Sequence, residues 1–101
     1  MNKSRVEFLE RLIQDDPSDP FGYYALALDL QMEQPDRAID LHTHVLNTFP
    51  DYLPNYYQMG LLLIRQGRQK HAKEVITKGI ELALNVKNFK TGAELQNLLE
   101  E

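Results

Sequence analysis

The chain has 101 residues, of which 43% are hydrophobic and 26% are charged, and it contains no cysteine. This length suits one small domain, and the composition lies well away from the low-hydrophobicity, high-charge range of disordered chains. The lack of cysteine excludes disulfide bonds, thiolate metal sites and nucleophilic cysteine catalysis. A formal net charge of -4 argues against general affinity for nucleic acid, which depends on Lys and Arg to neutralise phosphates.

The charge is unevenly distributed along the chain. Residues 1–51 carry four basic and ten acidic groups, net -6, whereas residues 52–101 carry seven basic and five acidic groups, net +2. We therefore expect the two halves to attract each other head to tail, and the opposed charges favour self-association. The first residues turn polar too early for a signal peptide, and no apolar run is long enough to span a bilayer, so we expect a soluble, cytoplasmic protein without a membrane partner.

Apolar residues recur at helical spacing through the whole chain, and no period-two run predicts a strand. The pattern predicts six helices over residues 5–15, 20–33, 36–49, 54–66, 69–86 and 92–100. Three helix starts are predicted from the two capping boxes Ser4-x-x-Glu7 and Thr91-x-x-Glu94 and from the N-cap pair Asp19-Pro20. In the turn at residues 65–68, Gly67 is expected to take the left-handed conformation that ends a helix.

One pattern occurs twice in the chain. Tyr23-x-x-Leu26-Ala27-x-x-Leu30 recurs 33 residues later as Tyr56-x-x-Met59-Gly60-x-x-Leu63, and Ala38-x-x-x-His42-x-x-x-Leu46 recurs 34 residues later as Ala72-x-x-x-Ile76-x-x-x-Ile80. The first copy thus lacks one residue in its internal turn. Each copy predicts a helix, a turn and a second helix. The small residues of the pattern are expected to let the two helices approach closely.

These residues resemble the tetratricopeptide repeat, with His42 standing where the family prefers Phe and Leu84 standing where the family has its closing Pro. The resemblance covers residues 5–84. It implies an all-α fold, a short α-solenoid of antiparallel helix pairs with about six helices in one domain. Its parts are a leading half-repeat helix (1–17), repeat one (18–50), repeat two (51–84) and a C-terminal capping helix (85–101).

In this family the first helix of each repeat lines a concave face that takes an extended or helical peptide. The resemblance places eight side chains there: Phe21, Tyr24, Leu28, Met32, Tyr57, Gln58, Leu61 and Arg65. It therefore implies a non-catalytic scaffold that binds a protein or peptide, such as an amphipathic helix, in an apolar groove. Three alternatives remain open. Some of these side chains belong to the core, or the N-terminal helix covers them, or a second subunit covers them in a homo-oligomer.

Other candidate sites are weaker. His42 and His44 are two residues apart on a helix and point in different directions, so we expect no metal site and a packing role for His42. The basic run Arg65, Arg68, Lys70, Lys73 and Lys78 is interpreted as a solvated face, and the alternative is that it binds an acidic partner protein or the chain's own acidic first half. No phosphate-binding glycine loop, nucleophile elbow or zinc-protease motif occurs, so neither an enzyme nor a cofactor is expected.

Overall fold

The computed structural model describes all residues from Met1 to Glu101 and contains six α-helices and no strand. The helices are α1 (Lys3–Asp15), α2 (Pro20–Leu30), α3 (Pro35–Thr48), α4 (Pro54–Arg65), α5 (Gln69–Asn85) and α6 (Phe89–Glu100). The predicted all-α class and the number of helices are confirmed. None of the helices combines the length and the apolar character that crossing a membrane requires.

The chain divides into two compact units, Met1–Pro50 with α1 to α3 and Asp51–Glu101 with α4 to α6. The boundary falls at the position where the two predicted repeats meet. The finer division of the chain into a half-repeat, two repeats and a cap stays a prediction.

Asparagine side chains cap the first and the last helix. The Asn2 side chain accepts a hydrogen bond from the Arg5 N–H at 3.0 Å, and the Asn88 side chain accepts one from the Thr91 N–H at 3.1 Å. The capping boxes expected at Ser4 and at Thr91 were therefore wrong. Asn is as good an N-cap as Ser or Thr, and each Asn lies upstream of the predicted cap, so it starts the helix earlier.

The remaining predicted start is confirmed. The Asp19 side chain accepts a hydrogen bond from the Phe21 N–H at 3.0 Å, and Pro20 occupies the first helical position, where its missing N–H removes no helical hydrogen bond.

The end of α2 lies earlier than expected, at Leu30 rather than at residue 33. Beyond the turn, Gln34 has φ -135° and ψ 64°, outside the helical region, as expected for a residue that precedes proline.

In the first unit, α2 packs against both α1 and α3. Its buried apolar side chains are Val6, Leu9, Leu26, Ala27, Leu30, Ala38, Ile39 and Val45, and His42 is buried in the same unit. A Cβ at Gly22 would lie 2.9 Å from Cγ1 of Ile13, so glycine is what allows α1 and α2 to meet here. Two ion pairs add to this packing, since Arg5 contacts Asp29 of α2 and Glu10 contacts Arg37 of α3.

In the second unit, α5 is the longest helix and packs against α4 and α6. Two glycines make that packing possible, because a Cβ at Gly60 would lie 2.6 Å from Cγ1 of Ile76 and a Cβ at Gly79 would lie 2.6 Å from Cβ of Tyr56. The close approach expected at Gly60 is confirmed. The absence of a closing proline at Leu84 lets α5 continue to Asn85, as predicted.

Two turns in the second unit share one backbone arrangement. After α4, Gly67 has φ +76° and the Arg68 N–H donates to the Leu63 carbonyl at 2.8 Å, which confirms the predicted left-handed helix end. After α5, Lys87 has φ +60° and the Asn88 N–H donates to the Ala83 carbonyl at 2.8 Å. A left-handed residue with a side chain costs about 1–2 kcal/mol, and glycine avoids that strain. The second turn is therefore strained where the first is not.

Candidate interaction surfaces

The exposed face of α2 carries the predicted binding residues of the first unit. Phe21, Tyr24 and Leu28 are three and four residues apart and so lie on one side of the helix. Phe21 is exposed, and Tyr24 and Leu28 are half-buried. Met32 is 80% exposed but lies in the turn beyond the end of α2, so the helix does not hold it in register with the other three.

Tyr24 is fixed from one side by the neighbouring helix. Its ring meets the ring of His42 on α3 edge to face, with centroids 6.3 Å apart. His42 itself is completely buried, which confirms its predicted packing role. The aromatic contact leaves part of Tyr24 accessible while limiting its rotamers, and rigid, partly exposed aromatic side chains are common anchors of protein interfaces.

The exposed face of α4 carries the predicted binding residues of the second unit. Tyr57, Gln58 and Leu61 are half-buried, and Arg65 is exposed. Arg65 is the last residue of α4, where a positive charge is favoured by the helix dipole. None of the eight predicted side chains, on either helix, belongs to the buried core. The joining of the two faces into one groove stays a prediction.

Two pKa shifts accompany the packing. The Asp29 carboxylate raises the pKa of the Arg5 guanidinium, first through their hydrogen bond and then through its charge. In the second unit, the pKa of the Tyr56 hydroxyl is raised because the group is buried and, to a lesser extent, because the negative charge of Asp51 disfavours a phenolate. Both groups hold helices in place and neither lies on a predicted binding face.

The other polar features are dispersed. No group of three or more His, Asp or Glu side chains is arranged so that it could hold a metal ion. The basic run is exposed at Arg65, Arg68, Lys70, Lys73 and Lys78. A groove of about 510 Å³ lies between the start of α5 and the end of α6. Its lining combines aliphatic side chains such as Ile76 and Leu98 with Lys, Gln and Glu, and it includes neither a histidine nor a hydroxyl side chain.

Comparison with solved structures identifies the family. The solution NMR structure of a tetratricopeptide repeat domain protein from Salinibacter ruber is 38% identical and superimposes with a TM-score of 0.77, over 83% of this chain and 86% of that chain. The chain belongs to the tetratricopeptide repeat family. A crystal structure of a tetratricopeptide repeat domain protein from the same organism is 36% identical over 80% of this chain and 91% of that chain, with a TM-score of 0.73.

More distant structures share the tetratricopeptide repeat fold of this chain. The type III secretion translocator chaperone SycD from Yersinia enterocolitica is 19% identical, with a TM-score of 0.85 over 97% of this chain and 69% of that chain. MamA is 22% identical, with a TM-score of 0.70 over 94% of this chain and 55% of that chain. Comparison with protein-family models gave no match, and comparison with curated proteins gave none either.

Two surface features of this tetratricopeptide repeat protein were not predicted from the sequence. In the first unit the rings of Tyr23, His44 and Phe49 form a cluster, with the centroids of Tyr23 and His44 4.5 Å apart. The Tyr23 hydroxyl also donates to the Pro17 carbonyl at 3.0 Å, so this repeat tyrosine links α2 to the preceding turn and to α3. The 33-residue recurrence of Tyr23 was the available signal, but it did not indicate ring partners.

The second unpredicted feature is the turn between α5 and α6. It exposes three large apolar side chains, since Leu84 is 53%, Val86 is 58% and Phe89 is 64% exposed. The sequence interpretation treated Leu84 only as a replacement for the closing proline of the family. The spacing did not indicate this exposure, because Val86 lies three residues after the buried Ala83 and so continues the pattern of buried positions 75, 76, 79 and 83 on α5.

Proposed function

We propose that this chain is a non-catalytic scaffold that binds an apolar or amphipathic segment of another protein on the exposed faces of α2 and α4. Each unit contributes one face. The proposed function uses no cofactor, metal ion or nucleic acid. Its proposed place is the cytoplasm, because a chain without cysteine suits a reducing compartment.

The exposure of these faces is the observation that carries the proposal. Small soluble proteins seldom leave neighbouring large apolar side chains in contact with water unless another molecule covers them. On α2 the accessible apolar side chains are Phe21, Tyr24 and Leu28, and on α4 they are Tyr57 and Leu61. Residues three and four apart on a helix match the spacing with which an amphipathic helix presents its own apolar side chains.

The similar structures support the same class of function. SycD is a chaperone of a type III secretion translocator, so a protein of this fold has another protein as its partner. The fold alone does not determine a partner, and the choice of segment rests on the side chains of the two faces. Those side chains are aromatic and aliphatic with a single positive charge at Arg65, which favours an apolar segment that carries a carboxylate near its end.

The test is selection from a displayed library of peptides, followed by affinity measurement on the enriched sequences. Truncation of a central anchor residue at an interface typically costs 2 kcal/mol or more, which is about 30-fold in affinity. We expect Tyr24→Ala to weaken binding of an enriched peptide by about that factor if the peptide occupies the α2 face. Leu61→Ala is expected to do the same for a peptide on the α4 face.

Phe8→Ala is the matched control, because Phe8 is an exposed aromatic residue of α1 that lies on neither face. It should leave the affinity unchanged. Circular dichroism must show that each variant keeps the helix content of the parent. Enriched peptides whose affinity is insensitive to both Tyr24→Ala and Leu61→Ala would show that the faces are wrongly assigned, and a library that yields no binder would contradict the proposed function itself.

A further inference from the structure

The turn between α5 and α6 combines exposed apolar side chains with positive charge. We call it the basic turn, and it consists of Leu84, Val86, Lys87, Phe89 and Lys90. All five are exposed, and residues 82–93 contain neither Asp nor Glu. An apolar patch edged by charges of one sign is typical of a surface that binds a partner of the opposite charge.

The backbone conformation of the basic turn indicates that Lys87 has a role beyond solubility. Lys87 takes the left-handed conformation that Gly67 takes in the equivalent turn after α4. Both turns make the same pair of backbone hydrogen bonds, so helix termination does not require a side chain at this position. Residues held in sparsely populated backbone conformations cluster at functional sites. In this turn the strained residue is a lysine that lies between the exposed Val86 and Phe89 along the chain.

The first unit contains a surface of opposite charge. We call it the acidic turn, and it consists of Asp15, Asp16, Asp19 and Phe21 at the junction of α1 and α2. All four residues are exposed, and residues 12–36 contain neither Lys nor Arg. Asp16 and Asp19 accept local hydrogen bonds that hold the turn, whereas the side chain of Asp15 makes no hydrogen bond or ion pair within the chain. The acidic turn thus combines an exposed aromatic ring with three exposed carboxylates.

We propose that the basic turn of one copy of this chain binds the acidic turn of a second copy. Phe89, Leu84 and Val86 supply the apolar contact for Phe21, and the two lysines pair with the carboxylates. The exposed run at residues 65–73 is also positive, but it carries none of the large exposed apolar side chains. It therefore cannot supply the apolar contact for Phe21. An anionic lipid surface is the competing occupant of the basic turn, and the complementary patch on the chain itself favours the second copy.

The contact joins two different patches, so each copy that binds one neighbour retains one free patch of each kind. Assemblies of this heterologous type grow beyond the dimer as concentration rises. Because the attraction depends on opposite charges, added salt should shift the assembly towards the monomer.

Sedimentation velocity across protein concentration and salt tests the proposal. We expect Lys87→Glu with Lys90→Glu to weaken self-association by about tenfold or more. Lys70→Glu with Lys73→Glu changes the net charge by the same amount outside the basic turn and should alter association by no more than about threefold. If this control weakens association as much as the basic-turn variant does, the proposal is overturned, because net charge rather than a specific contact is then responsible.

A complementary variant tests the partner patch. Asp15→Lys with Asp16→Asn removes negative charge while keeping a side-chain acceptor for Ser18 at position 16, and it should also weaken self-association about tenfold. Mixed in equal amounts, the basic-turn variant and this acidic-turn variant should bind each other, because the first keeps an intact acidic turn and the second keeps an intact basic turn. Failure of the mixture to associate would overturn the proposed pairing.

Lys87→Gly separates a functional from a structural role of that lysine. It relieves the backbone strain, so the midpoint of denaturation should rise while self-association weakens about threefold or more. A chain that stays monomeric at every concentration and salt level would overturn the proposal. The proposal would also be overturned by a protein that does not self-associate but binds phosphatidylserine vesicles, if the charge reversal abolishes that vesicle binding.

This inference stands independently of the proposed peptide binding. It shares only Phe21 with the α2 face, and its variants leave Tyr24, Leu28 and the whole α4 face unchanged. Peptide affinity that survives the charge reversals, in a protein that no longer associates, would separate the two functions.

Discussion

Gly79→Ala should destabilise the fold even though alanine favours helices. The added Cβ would lie 2.6 Å from Cβ of Tyr56 and 3.0 Å from Cδ1 of Leu95. Tyr56 is buried, and its Cβ is attached directly to the α4 backbone, so it cannot rotate away and α4 and α5 must separate. Overpacking of this kind costs about 1–3 kcal/mol, whereas replacing glycine by alanine within a helix contributes about 1 kcal/mol of stability. Because Tyr56 cannot move away, we expect an overpacking cost in the upper part of that range. The net loss in the free energy of unfolding is then about 1–2 kcal/mol.

Gly92→Ala is the matched control for this prediction. The same chemical change on α6 brings the new Cβ to 3.6 Å from Cβ of Ala83, an ordinary van der Waals distance. Only the gain in helix propensity remains, about 0.5–1 kcal/mol of added stability. Urea titration followed by circular dichroism at the helix band measures both values. If Gly79→Ala is as stable as Gly92→Ala, the close approach of α4 and α5 does not constrain this position and the reasoning is refuted.

Three further predictions concern single groups. Lys87→Gly should add about 1 kcal/mol to the free energy of unfolding, because glycine takes the left-handed conformation without strain, as Gly67 does in the preceding turn; a loss of stability in urea titration would contradict this. Asp19→Ala should remove about 1 kcal/mol, because the side chain caps α2, and thermal unfolding should show a lower midpoint. The raised pKa of Tyr56 means that the folded state binds the phenolic proton more tightly than the unfolded state, whose pKa is about 10. This contribution to stability is complete below about pH 10 and is lost as the pH rises through the folded-state pKa. Tyr56→Phe should therefore lose less stability at high pH than the parent chain, and an equal loss would contradict the assignment.

The predicted helices and helix ends were correct where a local signal was sufficient. Helical periodicity placed all six helices, Asp19 was identified as an N-cap, and Gly67 was identified as a helix end. Errors arose where two local signals competed. Asn2 and Ser4 are both good caps, as are Asn88 and Thr91, and the choice depends on which side chain reaches a free N–H. No spacing rule decides between them.

The candidate surfaces were predictable in part. The family resemblance selected eight residues on or near α2 and α4, and none of them lies in the core. It did not separate Met32 from the other residues of the α2 face, whereas α2 ends at Leu30 and Met32 lies in the turn beyond it. Nor did it indicate the basic turn, because Leu84, Val86 and Phe89 are apolar residues of the kind that most often lie in a core.

The sequence by itself determined the helices, the 33- to 34-residue recurrence and the family, because these follow from backbone geometry and from side chains that are near one another along the chain. The tertiary structure alone decided which glycines are required and which apolar residues are exposed. Gly79 is tied to Tyr56, 23 positions away along the chain, and its role depends on a distance of 2.6 Å between two helices. Phe89 is exposed because no other element covers it. Both properties depend on the packing of distant segments, which helical periodicity does not encode.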